Sequence, residues 1–203
     1  MGSRVSEIKR YQIRVEGIVQ GVGFRPFIYG LAIQSCYSGY VLNDVEGVLL
    51  EIQGRDIDIE NFCQCIKTKA PKASYITNIS YHEIDVICDD KEFIIQKSPQ
   101  GLTKETLISP DLAICEDCKR EIKDKNNRRY QYTFTNCTNC GPRFSIVQDI
   151  PYDRQNTTMK VFPMCKNCED EYTNPLDRRF HAQPNACDIC GPQYKLVADK
   201  VYI

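Results

Sequence analysis

The sequence predicts an α+β domain with the element order βαββαβ, followed by a small metal-stabilised domain that contains a tandem repeat. Three observations support this. Strand-like and helix-like apolar patterns alternate through the first hundred residues, with glycine and proline between them. Large apolar residues make up about a third of residues 5–97 but under a fifth of residues 111–192, so only the first segment can bury an ordinary core. Eight of the 12 cysteines lie in the second segment as four Cys-x-x-Cys pairs.

Composition and charge exclude several classes of protein. The 203 residues carry 26 Lys and Arg against 27 Asp and Glu, a net charge of -1 that argues against a nucleic-acid partner. No apolar stretch approaches the roughly 20 residues of a membrane span, and the first ten residues contain no signal-peptide core. Regular Cys-x-x-Cys pairs favour metal thiolates in a reducing compartment over disulfides. We therefore expect a cytoplasmic protein that binds neither membranes nor nucleic acids.

The first segment begins with a strand, a loop and a helix. Residues 9–19 alternate between apolar and polar side chains, as a half-buried strand does. A glycine-rich loop follows at residues 20–25, and Pro26 suits the first turn of a helix that extends to about Ser35. The other predicted elements are a hairpin of residues 40–43 and 48–52, a helix over 57–69, and strands near 76–84 and 93–96. This order is the split βαβ arrangement.

The domain boundary is expected at residues 98–103, a proline- and glycine-containing stretch without periodicity. We therefore predict a first domain over residues 5–98 and a second over 109–195. The second domain would contain units 115–142 and 165–192. Because the first domain has enough apolar residues to fold alone, its chemistry is expected to survive removal of metal from the second.

The loop between the first strand and helix is a candidate anion site. Backbone N–H groups converge at such a turn, and the helix dipole favours negative charge there. Arg25 adds a planar bidentate donor that suits phosphate. On these grounds alone, a tight turn with a solvated arginine is an equal alternative.

A longer string is more specific than the loop by itself. Residues 15–25 read Val-x-Gly-x-Val-Gln-Gly-Val-Gly-Phe-Arg, and residues 39–43 read Gly-Tyr-Val-x-Asn. The two together resemble the acylphosphatase signature, which implies a ferredoxin-like fold. The resemblance also implies that Arg25 binds phosphate, that Asn43 orients the attacking water, and that the loop Gln20, Gly21, Val22, Gly23, Phe24 and Arg25 cradles the phosphate. The alternative for Asn43 is a residue that caps its own turn.

The second segment matches itself at an offset of 50 residues. The cysteines of the first unit are Cys115, Cys118, Cys137 and Cys140, and those of the second are Cys165, Cys168, Cys187 and Cys190. Four thiolates per unit leave no open position for water, which favours two structural Zn²⁺ ions. An iron–sulfur cluster and a redox dithiol are the weaker alternatives. Either sequential or cross-braced pairing of the knuckles would give two ions. Sequential pairing is preferred, because the 18-residue spacing repeats whereas the 24-residue spacer occurs once.

Other conspicuous residues have less specific interpretations. The repeated pairs Arg128-Arg129 and Arg178-Arg179, each followed by an aromatic residue, are predicted to lie on amphipathic strands around the metal sites. His181 is predicted to be a surface group or a neighbour of the metal ligands rather than a ligand, because the repeat places Gln131 opposite it. The remaining cysteines, Cys36, Cys63, Cys65 and Cys88, are predicted to be buried small residues.

The whole arrangement resembles one family, the carbamoyltransferase HypF of [NiFe]-hydrogenase maturation. The resemblance extends from about residue 9 to residue 194 and includes the strings at residues 21–27, 41–44, 136–144 and 177–184. It implies that the first domain hydrolyses carbamoyl phosphate to carbamate and phosphate. It also implies that further domains use ATP to carbamoylate the partner HypE. Those ATP-dependent domains are expected to be missing here, because the sequence ends at Ile203.

Two alternatives remain open from the sequence. The chain could be a general acylphosphatase with a zinc appendage, or a zinc adaptor whose first domain has no activity. The presence of both Arg25 and Asn43 argues against the adaptor. A panel of carbamoyl, acetyl and aryl acyl phosphates would distinguish the two enzymatic alternatives.

Overall fold

The computed structural model describes residues 7–97 and 109–195. The predicted boundary at residues 98–103 lies outside the described residues. The first segment contains, in chain order, β1 (Ile8–Ile18), α1 (Phe24–Gln34), β2 (Ser38–Asn43), β3 (Val48–Arg55), α2 (Ile59–Lys69), β4 (Tyr75–Ile84) and β5 (Phe93–Ile95). The first six of these elements have the predicted order βαββαβ, and β5 adds a seventh.

The strands form one sheet in the order β4-β1-β3-β2-β5. The four longer strands are antiparallel, with Ile13 of β1 opposite Leu50 of β3 and Tyr81 of β4. The short strand β5 runs parallel to β2 at the edge of the sheet. The order β4-β1-β3-β2 with two crossover helices is the ferredoxin-like arrangement that the sequence predicted.

One apolar core joins the sheet to the two helices. Alternate side chains of β1 point into it, so Ile13 and Val15 are fully buried. Ile28 of α1 and Ile66 of α2 pack against this face and are also fully buried. Asp58 caps α2 by accepting a hydrogen bond from the N–H of Asn61 at 3.0 Å. The amphipathic pattern of residues 57–69 therefore predicted this helix to within two residues.

The second segment has little regular structure. Its helices are α3 (Glu116–Lys123) and α4 (Lys166–Thr173), with short 3-10 helices at Thr138–Cys140, Phe144–Ile146, Arg154–Asn156 and Thr158–Val161. Each α-helix begins just after the first cysteine of its unit, at equivalent positions in the repeat. Its two apolar clusters are small, one made of cysteines of the first unit and the other centred on Tyr132 and Met159. This agrees with its low content of large apolar residues.

The two segments are in direct contact, which the sequence did not predict. The rings of Tyr29 on α1 and Phe180 pack edge to face, with centroids 5.4 Å apart. The side chain of Gln20 accepts a hydrogen bond from the N–H of Tyr152 at 2.9 Å. The first contact involves α1, and the second involves Gln20, the first residue of the glycine-rich loop.

The four cysteines outside the repeat do not share one environment. Cys63 is buried on α2, as predicted, and Cys65 is half-buried. The prediction is wrong for Cys36 and Cys88, which are exposed. Cys36 follows the end of α1 with a φ of 56°, and this turn directs it away from the core. Within the described residues, no helix is long and apolar enough to cross a membrane.

Candidate active site and metal centres

The glycine-rich loop connects β1 to the N-terminus of α1. Gly21 and Gly23 have φ values of 71° and 77°, a left-handed conformation that glycine adopts without strain. Gly23 is the residue before the helix, and the first turn that follows contains no acidic side chain. The N–H groups of a first helical turn have no partner within the helix, so this end of α1 favours an anion.

The structure brings together Arg25 and Asn43, the two residues predicted to be catalytic. Arg25 lies in the first turn of α1, and Asn43 is the last residue of β2. Both are nearly fully buried, with 6% and 1% of their surface exposed. When the amide of Asn43 is oriented with its oxygen toward the Arg25 guanidinium, Oδ1 accepts hydrogen bonds from Nε and Nη2 of Arg25, each at 3.2 Å.

The other predicted phosphate-binding residues contribute in different ways. The Gln20 side chain is fully buried and donates 2.7 Å hydrogen bonds to the carbonyls of Asp44 and Gly47, so it holds the loop against the β2–β3 hairpin. Val22 and Phe24 are 1% exposed and belong to the apolar core. The side chains of these three residues are therefore committed to folding, and the loop backbone and Arg25 are the remaining candidate groups for an anion.

Residues of the second segment cover this loop. A Cβ placed on Gly21 would lie 2.6 Å from Pro142 Cβ and 2.8 Å from a ring carbon of Tyr152. A Cβ on Gly23 would lie 2.9 Å from Thr138 Cβ. The glycines are therefore needed for close approach as well as for their backbone conformation. Between the loop and its cover is a cavity of about 20 Å³, large enough for one water molecule.

Asp153 forms an ion pair with the candidate phosphate-binding arginine. Its Oδ1 lies 2.7 Å from Nη2 of Arg25, and the two side chains are only 13% and 7% exposed. The same nitrogen donates a weaker 3.4 Å hydrogen bond to the carbonyl of Tyr152. The sequence interpretation had no role for residues 152–154, because the contact joins positions far apart in the chain. In the sequence, these residues belong to a polar stretch between the two repeat units.

His181 also lines the cavity. It is half-buried between Tyr172 and Phe180, with ring centroids 5.0 and 4.6 Å away. Burial, reinforced by the positive charge of Arg25, lowers the pKa of His181 to about 4, so the imidazole is neutral at pH 7. His181 lies outside both cysteine clusters, as predicted, but it is half-buried rather than a surface group.

The eight repeated cysteines form two separate clusters. Cys115, Cys118, Cys137 and Cys140 make up the first, and Cys165, Cys168, Cys187 and Cys190 the second. This confirms sequential pairing. Sulfur–sulfur distances such as 3.7 Å between Cys165 and Cys187 fit a tetrahedron with Zn–S bonds of about 2.3 Å, whose edge is about 3.8 Å. The distances therefore fit one zinc ion per cluster.

The paired arginines link the two cysteine units reciprocally. Arg129 and Arg128 bind Glu171 of the other unit and donate to Cys168 Sγ at 3.4–3.6 Å. The second unit makes the equivalent contacts to the first: the Arg178-Arg179 pair binds Glu121, and Arg178 donates to Cys118 Sγ at 3.6 Å.

Burial opposes ionisation of Glu171, but hydrogen bonds from the two arginines outweigh it and lower the pKa of this residue to about 2. Both arginine pairs lie in turns, so the predicted amphipathic strands are wrong. The positive charge of each arginine pair instead balances the negative charge of a carboxylate and a cysteine sulfur in the neighbouring unit.

Comparisons with known proteins match both segments. The acylphosphatase family model matches residues 11–95, and the HypF finger model matches residues 114–147 and 164–197. A probable carbamoyltransferase HypF from Methanocaldococcus jannaschii is 49% identical over 148 residues, which cover 72% of this chain and 19% of the relative. An acylphosphatase from Thermotoga petrophila is 40% identical over 77 residues, which cover 37% of this chain and 84% of that enzyme.

A solved structure agrees with these matches. The crystal structure of a full-length HypF in its phosphate- and nucleotide-bound form superposes with a TM-score of 0.88 and is 48% identical. The match covers 100% of this chain and 27% of that one. The chain thus spans about a fifth of the length of the curated HypF relatives and about a quarter of the solved structure. The chain belongs to the HypF family, with an acylphosphatase domain followed by two HypF fingers.

Proposed function

We propose that this chain hydrolyses carbamoyl phosphate to carbamate and phosphate. The observation that carries the proposal is the buried pair of Arg25 and Asn43, which meets at the N-terminus of α1 beside the glycine-rich loop. An arginine, a helix N-terminus and converging backbone N–H groups provide positive charge for a phosphoryl group. An asparagine at the same point provides a hydrogen-bonding group for water.

The proposed reaction is an in-line attack of water on phosphorus. The water oxygen forms a new bond to phosphorus while the bond from phosphorus to the carbamoyl oxygen breaks. Carbamate leaves with the electron pair, and the proton of the water passes to a phosphate oxygen. Because the leaving group is a stable carboxylate-like anion, orienting water and balancing charge on the phosphoryl oxygens are the main tasks of the protein. Asn43 and Arg25 are the residues proposed for these two tasks.

Substrate binding requires that the contacts over the loop open. The cavity of about 20 Å³ accommodates a water molecule, whereas carbamoyl phosphate has eight non-hydrogen atoms. The carboxylate of Asp153 also binds the guanidinium that a phosphoryl group would use. We therefore propose that substrate displaces Asp153 from Arg25, with the residues around Tyr152 moving away from the loop.

We propose that both finger clusters hold structural zinc. Four thiolates per ion leave no coordination site for substrate, so zinc would supply folding energy rather than chemistry. The arginines that donate to Cys118 and Cys168 would reduce the negative charge of each loaded cluster. Because the fingers cover the loop, their metal would also position one wall of the cavity.

The name carbamoyltransferase belongs to relatives much longer than this chain. We propose that the carbamate formed here supplies an ATP-dependent carbamoylation of HypE, carried out by further domains of the kind that those relatives contain. The described residues of this chain would provide the hydrolytic site and the zinc scaffold for that reaction.

The direct test is phosphate release from carbamoyl phosphate by the purified chain and its variants. Arg25→Ala should abolish the activity, and Asn43→Ala should lower kcat more than it raises KM. Arg120→Ala is the matched control, because Arg120 is an exposed arginine on α3 that pairs with Asp117 on the same helix. Acetyl and aryl acyl phosphates in parallel would identify a general acylphosphatase. Full activity of Arg25→Ala would refute the proposed site.

A further inference from the structure

The cavity beside Arg25 is lined by residues from both halves of the chain. The first domain contributes the loop, Arg25 and Asn43, and the first finger contributes Asn136 and Thr138. The finger residues lie on either side of the metal-ligand position Cys137. A group bound between them and the loop would therefore contact side chains that the acylphosphatase domain alone does not possess.

Asn136 is the unusual member of this lining. Its side chain is 2% exposed, and among the described residues neither Oδ1 nor Nδ2 has a hydrogen-bond partner. Burying both polar atoms of an amide without partners destabilises a protein, so such groups are rare unless a ligand or water satisfies them. The unpaired amide therefore indicates that something binds at this position.

The repeat provides an internal control for the role of Asn136. At the offset of 50 residues, the second finger has Ala186 at the equivalent position. The backbone carbonyls of the two residues accept equivalent hydrogen bonds. Arg179 Nε donates to the carbonyl of Asn136 at 3.1 Å, and Arg129 Nε donates to the carbonyl of Ala186 at 2.9 Å. The finger therefore forms with alanine at this position, and the amide of Asn136 is not needed for its fold.

The chemistry of the amide restricts what it can bind. Because Nδ2 donates and Oδ1 accepts, the bound group must offer both an acceptor and a donor. A phosphoryl group offers mainly acceptors, and Arg25 with the helix N-terminus already provides for it. The carbamoyl group carries a carbonyl oxygen and an amino group side by side, so it is complementary to an amide. An acetyl group has the carbonyl but a methyl group in place of the donor.

We propose that Asn136 is a specificity-determining residue that recognises the carbamoyl end of the substrate through its amide. This inference rests on the proposed hydrolysis of carbamoyl phosphate at Arg25. The finger domain thereby contributes directly to substrate selection. The general anion chemistry of the loop binds the phosphoryl end, and a residue of the first finger distinguishes an amino group from a methyl group at the other end.

The test compares kcat/KM for carbamoyl phosphate and acetyl phosphate in the wild-type chain and in Asn136→Ala. The variant should lose roughly tenfold in kcat/KM for carbamoyl phosphate and little for acetyl phosphate, since one buried donor–acceptor pair has an effect of that size. Inhibition by inorganic phosphate should be unchanged, because phosphate binds at the other end of the site. Asn126→Ala, at an exposed position in the same finger, is the matched control.

Several outcomes would overturn the inference. If the preference for carbamoyl phosphate stays within about twofold of wild type, the amide binds only water. If both substrates and phosphate inhibition are affected equally, the residue is structural. Asn136→Leu, which has a similar size without polar atoms, provides the same readout should the alanine variant lose its metal. Absence of carbamoyl phosphate hydrolysis in the wild-type chain would instead refute the proposed function.

Discussion

The ion pair between Arg25 and Asp153 leads to a prediction about affinity for phosphate. In the structure the carboxylate binds the guanidinium at 2.7 Å with both side chains largely buried. An incoming phosphoryl group must break this pair before it can bind Arg25. Asp153→Asn keeps the size of the side chain but removes its charge. We therefore expect the variant to bind inorganic phosphate more tightly than the wild-type chain.

The size of the effect follows from the geometry. Unit charges about 4 Å apart attract by about 4 kcal/mol at an effective dielectric constant of 20. Part of this attraction is offset by the desolvation of both groups, and the asparagine retains a hydrogen bond of about 1 kcal/mol. A net change of at least about 1.4 kcal/mol remains, which corresponds to a tenfold lower Kd for phosphate. The free variant should also have a lower Tm, because it leaves Arg25 without its charged partner.

The assay measures Kd for phosphate by calorimetry and the rise in Tm on adding phosphate, which should be larger in Asp153→Asn than in wild type. Asp170→Asn is the matched control. Asp170 pairs with Lys166 at 2.6 Å on α4, but both side chains are more than half exposed, so its loss should leave phosphate binding unchanged. Equal or weaker phosphate binding by Asp153→Asn would refute the view that Asp153 occupies the anion position.

Three further predictions concern the fingers. The chain should bind two zinc ions without labile sulfide, as measured by elemental analysis, and iron or a single metal would contradict this. Strong chelation should abolish phosphate release in step with metal loss, because the fingers cover the loop; persistent hydrolysis would show that the first domain acts alone, as the sequence suggested. Between pH 6.5 and 5, the free energy of unfolding of the wild-type chain should fall by about 1–2 kcal/mol more than that of His181→Gln. The reason is that the pKa of His181 in the folded chain is lowered to about 4, so only the unfolded chain takes up a proton in this range. Parallel denaturant curves for the two proteins across this range would refute the last prediction.

The elements that the sequence predicted well are those specified by local pattern. Alternation along β1 and helical spacing along α2 reflect neighbours within a few residues, so both elements appear at nearly the predicted positions. The cysteine clusters were predictable because the repeat itself displays the ligand spacing. Short β5 joins β2 through three residue pairs, and its place at the edge depends on a tertiary contact that no periodicity reveals.

The cover over the candidate site was not predictable from local pattern. The bond from Tyr152 to Gln20 and the ion pair of Asp153 with Arg25 join residues separated by more than a hundred positions. Nothing in the sequence near residue 152 indicates an anion site, and nothing near residue 25 indicates an acidic partner. One signal was available in the repeat, where Asn136 and His181 stand opposite Ala186 and Gln131. Differences between repeats mark positions that the shared fold does not require.

The position of the first cysteine cluster explains why the cover and the candidate site form one unit. Asn136 and Thr138 flank Cys137, so both backbone positions follow from where that thiolate must lie to complete a tetrahedron. Thr138 lies within contact distance of Gly23 and also donates to the carbonyl of Arg178 at 3.0 Å, which connects the two fingers. A segment with few apolar residues cannot hold such a wall in place by core packing alone. Metal coordination can hold the wall in place, and it would therefore link the folding of the fingers to the shape of the cavity in which the substrate would bind.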